Sequence, residues 1–227
     1  MSKDIKTPFG KISPEVSLFP IYYLLFIYGF VYIFPYGEKL IGISWFDWLR
    51  SEDGPLEWIQ FIEYVLSSLL AFLIFLRRKK KKEINSIVWL FVAFLALIVA
   101  GEEISWGERI TGIGINSISD LNVQGETNFH NLPFFHNYLL APVFEISCIF
   151  LGWFGWRKFR RIKAFPSKEL SLYFLFVALF YFYFDISWAS TTEQIRNDQE
   201  IFEFLLSTGI FLHCLKNFPE TKNLKKF

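Results

Sequence analysis

The apolar residues of this chain come in continuous runs of about 17 to 21, and a helix of that length crosses a hydrocarbon layer about 30 Å thick. No other feature restricts the fold as sharply. One soluble core would have to bury 29 Phe, 10 Tyr and 8 Trp within 227 residues, which is too many for a domain of this size. The runs do not alternate, so a closed sheet barrel is excluded. Soluble enzyme, nucleic-acid module and disordered chain are set aside on the same ground. Cys148 and Cys214 both sit inside apolar runs, so no disulfide framework is expected. The first run is not followed by a small-residue cleavage site and reads as a retained helix.

The prediction is an all-α, polytopic transmembrane helix bundle, a single integral membrane domain over residues 1–227. Its six spans are drawn at roughly 18–36, 56–76, 86–106, 138–156, 170–188 and 200–215. The net charge of +1 conceals a strong asymmetry. Of the 23 basic residues, only Lys39, Arg50, Arg109 and Arg196 fall on one side of this layout. The rest lie at the N-terminus, in Arg77–Lys82, between residues 157 and 168, and from Lys216 onward. Basic residues beside short loops stay cytoplasmic, so both termini are placed inside and the protein in the inner (cytoplasmic) membrane. All but five of the 22 acidic residues fall in the outer half, the exceptions being Asp4, Glu15, Glu83, Glu169 and Glu220. Acids steer topology little, so part of this excess calls for another cause.

Three stretches end in the same tripeptide: Ile43-Ser44-Trp45, Ile104-Ser105-Trp106 and Ile186-Ser187-Trp188. An aromatic belt at the membrane interface accounts for them. A duplicated hairpin, spans 3–4 and 5–6 in parallel orientation, is the sharper alternative.

Four segments bring candidate chemistry to the outer side. Gly101-Glu102-Glu103-Ile104-Ser105-Trp106-Gly107-Glu108-Arg109 closes span 3, where two adjacent carboxylates need pairing, hydration or a cation. Glu102 or Glu108 can pair with Arg109, the structural alternative to a site. The loop from Asn122 to Asn131 carries Glu126, Asn128 and His130, with His136 just beyond. If helical, Glu126 and His130 share one face at a spacing that holds a metal or a proton relay. Asp185 sits at membrane depth near the end of span 5, while Asp198, Glu200 and Glu203 suit the start of span 6, where the helix dipole favours anions. Glu52-Asp53-Gly54-Pro55-Leu56-Glu57-Trp58 reads first as a turn with capping acids before span 2. Glu63 and Glu145 lie within spans 2 and 4, and intramembrane carboxylates mark a functional interior by default.

The strings E-D-G-P-L-E-W, G-E-E-I-S-W-G-E-R-I and N-V-Q-G-E-T-N-F-H-N resemble a family of bacterial multi-pass membrane proteins of no assigned function, over roughly residues 50–205. That resemblance implies a fold and no activity. In design alone the chain is similar to the alkaline ceramidase-like membrane hydrolases, whose helix bundles hold zinc with three histidines. This chain has three histidines in all, and His213 belongs to the inner half.

These residues lead to two expectations. One is an integral membrane enzyme whose outward-facing acidic and His-containing cavity performs metal-dependent hydrolysis or transfer on a lipid or lipid-linked substrate. Glu103, Glu126, His130 and Asp185 are its catalytic and metal-binding candidates, Glu203 is a further ligand, and Glu102, Asn128, His136, Glu57 and Glu200 line the site. Carboxylates with one imidazole suit Mn, Fe or Zn, and carboxylates with amides suit Ca or Mg. The other is a carrier or channel component in which the same acids bind a cation or relay protons. A non-catalytic membrane assembly protein is a third. Membrane lipids are the expected partners. No nucleotide-binding loop or nucleic-acid motif is present in the sequence. An enzyme would keep its acids in a blind pocket, whereas a carrier needs polar groups continuing inward. The inner halves are almost wholly apolar apart from His213.

Overall fold

We describe the protein from a computed structural model. It covers residues 5–7, 10–12, 14–33, 40, 42–51, 53–83, 85–123, 125–159, 162–183 and 198–220. The described residues are helical throughout, save for loops and a three-residue-per-strand hairpin, β1 (Ile5–Thr7) and β2 (Gly10–Ile12). The helices are α1 (Pro14–Leu24, continued by wide π turns over Leu25–Ile33), α2 (Ile43–Leu49), α3 (Pro55–Lys80), α4 (Ser86–Glu103), α5 (Leu140–Ile149), α6 (Ser171–Tyr181) and α7 (Gln199–Glu220). Wide turns at Phe135–Leu139 and Phe150–Gly155 lengthen α5 at both ends.

Three of these helices are long and apolar enough to cross a membrane: Pro55–Lys80, Ser86–Glu103 and Gln199–Pro219. At 1.5 Å per residue the first is about 39 Å long and the second about 27 Å. The α3 helix starts where the sequence marks a start, with Pro55 in the first turn after Gly54, and ends on Arg77, Arg78, Lys79 and Lys80, where the helix dipole favours cations. Residues 184–197 are outside the described set. The end of span 5, Asp185 and the third Ile-Ser-Trp tripeptide lie among them.

The α3 helix is the hub, packing along both α4 and α7, while α6 joins α7 to α5 and α1. Small residues allow the close approach of α3 and α4. Ala93, Ala96 and Ala100 are buried along one face of α4, and Ser68 of α3 donates to the Ala93 carbonyl at 2.8 Å. The largest apolar cluster joins α6 and α7 around Tyr173, Phe174, Val177, Ile201 and Leu205. A second one, of Ala71, Ile74, Phe75, Trp89, Ala93, Ala164 and Cys214, seals the basic end of α3, α4 and α7.

Two residues of the Arg77–Lys82 run do structural work at that end. The Arg78 guanidinium pairs with Glu83 at 2.6 Å and lies over the Trp89 ring, and Trp89 stacks on His213 with centroids 5.2 Å apart. Arg77 covers the Phe218 ring, 4.1 Å from its centroid. These contacts tie α3 to α4 and α7, beyond any effect of the charges on orientation.

Candidate functional site

The first motif ends in a backbone fold of unusual conformation. Ser105 and Trp106 both adopt left-handed φ values, +47° and +53°, ahead of Gly107 at +95°. For residues with a Cβ this costs about 1–2 kcal/mol each, so neighbouring contacts must hold it. Those contacts are visible. The chain doubles back so that the Trp106 ring lies on Gly101, where any Cβ would come within 3.0 Å of ring carbons. The Trp106 indole N–H then donates to Glu102 Oε1 at 2.6 Å. Ser105, fully buried, turns its hydroxyl onto Glu126 Oε2, also at 2.6 Å. The spacing of Gly101, Glu102, Ser105 and Trp106 is explained by this one turn.

The same carboxylates fasten the Asn122–Asn131 loop. Glu102 Oε2 accepts the Phe129 and His130 backbone N–H groups at 2.7 and 2.9 Å and lies 3.0 Å from His130 Nδ1. Glu108 accepts the Thr127 N–H at 2.6 Å. The Thr127 hydroxyl takes the Ile115 N–H, and Gly114 passes so close to Glu108 and Thr127 that a side chain there would clash with both. Fully buried Asn128 donates to Glu126 at 2.9 Å and accepts from Asn122 at 2.7 Å. The described residues between Asn122 and Leu132 form turns and not a helix. Glu126 and His130 therefore do not share a helix face, and His130 sits on Glu102.

Arg109 binds all three motifs to one another. Its guanidinium lies 2.6 Å from Glu57 Oε1, 3.1 Å from Glu126 Oε2 and 2.9 Å from the Glu103 carbonyl. Its Nε is 2.8 Å from Asp53 Oδ1, out of line for a hydrogen bond. Burial alone would lower the Arg109 pKa, but the hydrogen bond to Glu57 and the charges of Glu57, Glu126 and Asp53 outweigh it and hold the group above its ordinary value. Arg109 pairs with neither Glu102 nor Glu108. A second buried pair joins Arg50 to Asp198. Asp47 lies 2.7 Å from Arg50, and the Tyr28 hydroxyl donates to Asp198 at 3.1 Å.

Behind this lid a stripe of polar groups lies between α3 and α7. On α3 it consists of Glu57, Gln60, Glu63 and Ser67, and on α7 of Glu200, Glu203, Ser207 and Thr208. Gln60 donates to Glu200 at 2.8 Å, while the Tyr181 hydroxyl donates to Glu203. Glu63 accepts from Ser207 at 2.6 Å and from Thr208 at 3.0 Å. Glu103, at the end of α4, lies within Coulombic range of Glu203, Glu57 and Glu200. Among the described residues none donates a hydrogen bond to the Glu103 carboxylate, and none pairs with the buried Gln60 Oε1 atom. The stripe starts at the N-terminal end of α3 and stops at Ser67, about 18 Å along the helix. Below it the Ala71–Ile74–Cys214 layer is apolar.

The candidate residues thus separate into two groups. Glu102, Glu126, Asn128 and His130 belong to the lid, already bonded to the chain's own donors. Glu103, Glu200 and Glu203 belong to the buried stripe, and Glu57 touches both. Asp185 and the side chain of His136 lie outside the described residues. Among the described residues, no three His, Cys, Asp or Glu side chains are grouped as a metal requires. Gln60, Tyr181, Ser207 and Thr208 were not singled out from sequence, although Glu57, Gln60, Glu63 and Ser67 recur at the helical interval of three and four that would have revealed the α3 half. No family model, curated protein or solved structure matches the chain.

Proposed function

We propose that the protein is a six-span protein of the bacterial inner membrane, with both termini cytoplasmic, and an enzyme acting on a lipid or lipid-linked substrate in the outer leaflet. The observation that carries the proposal is the blind polar stripe, five carboxylates in the outer half of the bundle that end on an apolar floor. Crowded buried carboxyls share protons, so that one serves as an acid while its neighbour serves as a base. Glu103 is the proton-transferring group in this reading, because its carboxylate has no hydrogen-bond donor to surrender among the described residues. As a base it would take the proton of an attacking water or hydroxyl, and a protonated Glu203 or Glu200 would return one to the leaving oxygen. Gln60 Oε1 supplies an acceptor for a substrate hydroxyl or a protonated acid.

Purified protein in vesicles of bacterial lipid extract is expected to generate a new lipid species, seen by mass spectrometry and missing with Glu103→Gln. Proton or cation flux without any lipid change would sink the enzyme reading. It would favour the carrier, for which Glu63, about a third of the way along α3 and hydrogen-bonded by Ser207 and Thr208, is the supporting residue.

Glu102 and Glu126 already spend their oxygens on protein donors, so the acid–base reading expects turnover to persist in a chelator. Turnover lost in chelator and regained with Zn or Mn would instead support the divalent ion for which Glu103, Glu126, His130, Asp185 and Glu203 are candidates.

Topology has its own test. In a Cys-free background, cysteines replacing Lys80 and Lys158 are expected to resist a membrane-impermeant thiol reagent in intact cells, and one replacing Asn116 to react. The opposite labelling at any of the three would overturn the layout.

A further inference from the structure

At the basic end of the bundle a cavity of about 420 Å³ opens between the loop following α5 and the end of α7. One wall is aromatic, made by Trp156, Phe159 and Phe165, and the other carries Lys163, Lys168 and Lys216. We propose that this cavity binds the phosphate of an anionic phospholipid headgroup, with the lysines on the phosphate and the aromatic wall against the glycerol and upper acyl chains.

The lining suits such a ligand at each point. Lys163 and Lys168 are exposed at its rim, and Lys168 lies 5.7 Å from the centroid of the Trp156 ring. Lys216 is fixed by the Ser167 hydroxyl at 2.7 Å and by Glu169 at 3.5 Å. Burial raises the Glu169 pKa, but the Ser167 hydroxyl, its own backbone N–H and Lys216 lower it further, leaving it below the usual carboxylate range. Glu169 is therefore ionised at neutral pH, and the described lining that carries it also carries Lys163, Lys168 and Lys216. His213 contributes no charge-seeking contact of its own, because Nε2 is taken by the Ala164 carbonyl and Nδ1 by Asn217. Just outside, Arg157 lies 3.2 Å above the centroid of the exposed Trp153 ring, the pairing expected where a headgroup layer meets acyl chains. Basic pockets between membrane helices suit anionic headgroups in this way, and a free phosphate shares the charge without the apolar remainder. The inference is independent of the acid stripe at the opposite end, so either can fail alone.

The test is lipid retention measured by native mass spectrometry after exchange into mixed phosphatidylglycerol and phosphatidylcholine nanodiscs. Wild-type protein is expected to keep phosphatidylglycerol preferentially, and Lys163→Gln with Lys168→Gln to reduce that preference by about tenfold. Replacing the same pair by Arg should preserve it, which separates charge from folding. Substituting Lys79 through Lys82 by Gln is the control for diffuse attraction and should leave it intact. Equal retention of both lipids, or an equal loss in the Lys79–Lys82 variant, would overturn the proposal. Displacement of phosphatidylglycerol by an equal concentration of inorganic phosphate would also overturn it, by assigning the cavity to the free anion.

Discussion

Arg109→Gln is expected to be the most damaging single substitution at the carboxylate-rich end of the protein. The guanidinium is almost wholly enclosed and lies within ion-pair distance of Glu57, Glu126 and Asp53, while also donating to the Glu103 carbonyl. Its removal leaves Glu57, equally enclosed, as an uncompensated buried carboxylate. Breaking a buried pair on one side costs about 3–5 kcal/mol, far more than the pair itself is worth. The loss should appear as a large drop in the thermal midpoint in detergent, together with faster proteolysis of the 122–131 loop that Glu126 and Asn128 hold. Glu57→Gln in the same chain should recover part of the loss, because it removes the stranded charge. A midpoint unchanged in Arg109→Gln would show that the three motifs are held together by something else.

Glu103→Gln is expected to have the contrary signature. No described residue donates to this carboxylate, and its nearest charged neighbours are mainly other acids. Replacing it with a neutral amide of the same shape removes a costly group at membrane depth, so stability should hold or rise by about 1 kcal/mol. On the proposed enzyme reading, turnover should nevertheless fall by about 100-fold or more, the scale of a lost proton-transfer group. Gain of stability with loss of function is the mark of a site that keeps strain for its chemistry. If Glu103→Gln instead unfolded the protein while residual turnover per folded molecule stayed normal, Glu103 would be a structural residue.

The outline of the fold is plain in the sequence because it follows from local quantities. Hydropathy over some twenty residues and a helical rise of 1.5 Å are enough to place α3, α4 and α7, and Gly54-Pro55 with Arg77–Lys80 marks the ends of α3 to within a few residues. The turn at Ser105 and Trp106 is different. Nothing in the composition of Ile104-Ser105-Trp106 requires left-handed backbone at two non-glycine residues, and the conformation is sustained by Gly101, Glu102 and Glu126. An interfacial Trp, as the sequence suggests, is compatible with that position but does not account for its contacts.

The same division applies to the candidate site. The sequence by itself establishes that carboxylates gather toward one end of the apolar helices and that too few cations accompany them to neutralise each. It does not determine which acid meets which partner. Arg109 is only one position from Glu108, yet it pairs with Glu57 and Asp53 from another helix and its entry turn. His130, four residues from Glu126, sits on Glu102. Only the tertiary structure decided that Glu102 and Glu126 are spent on holding a loop, while Glu103, next to Glu102 in the chain, faces the buried acids of α7. The physical reason is that burial and helical period act within one segment. The partner of a charge depends instead on how separate helices pack, on the close approach that Gly101 and the alanines of α4 permit, and on which donors that packing leaves within about 3 Å.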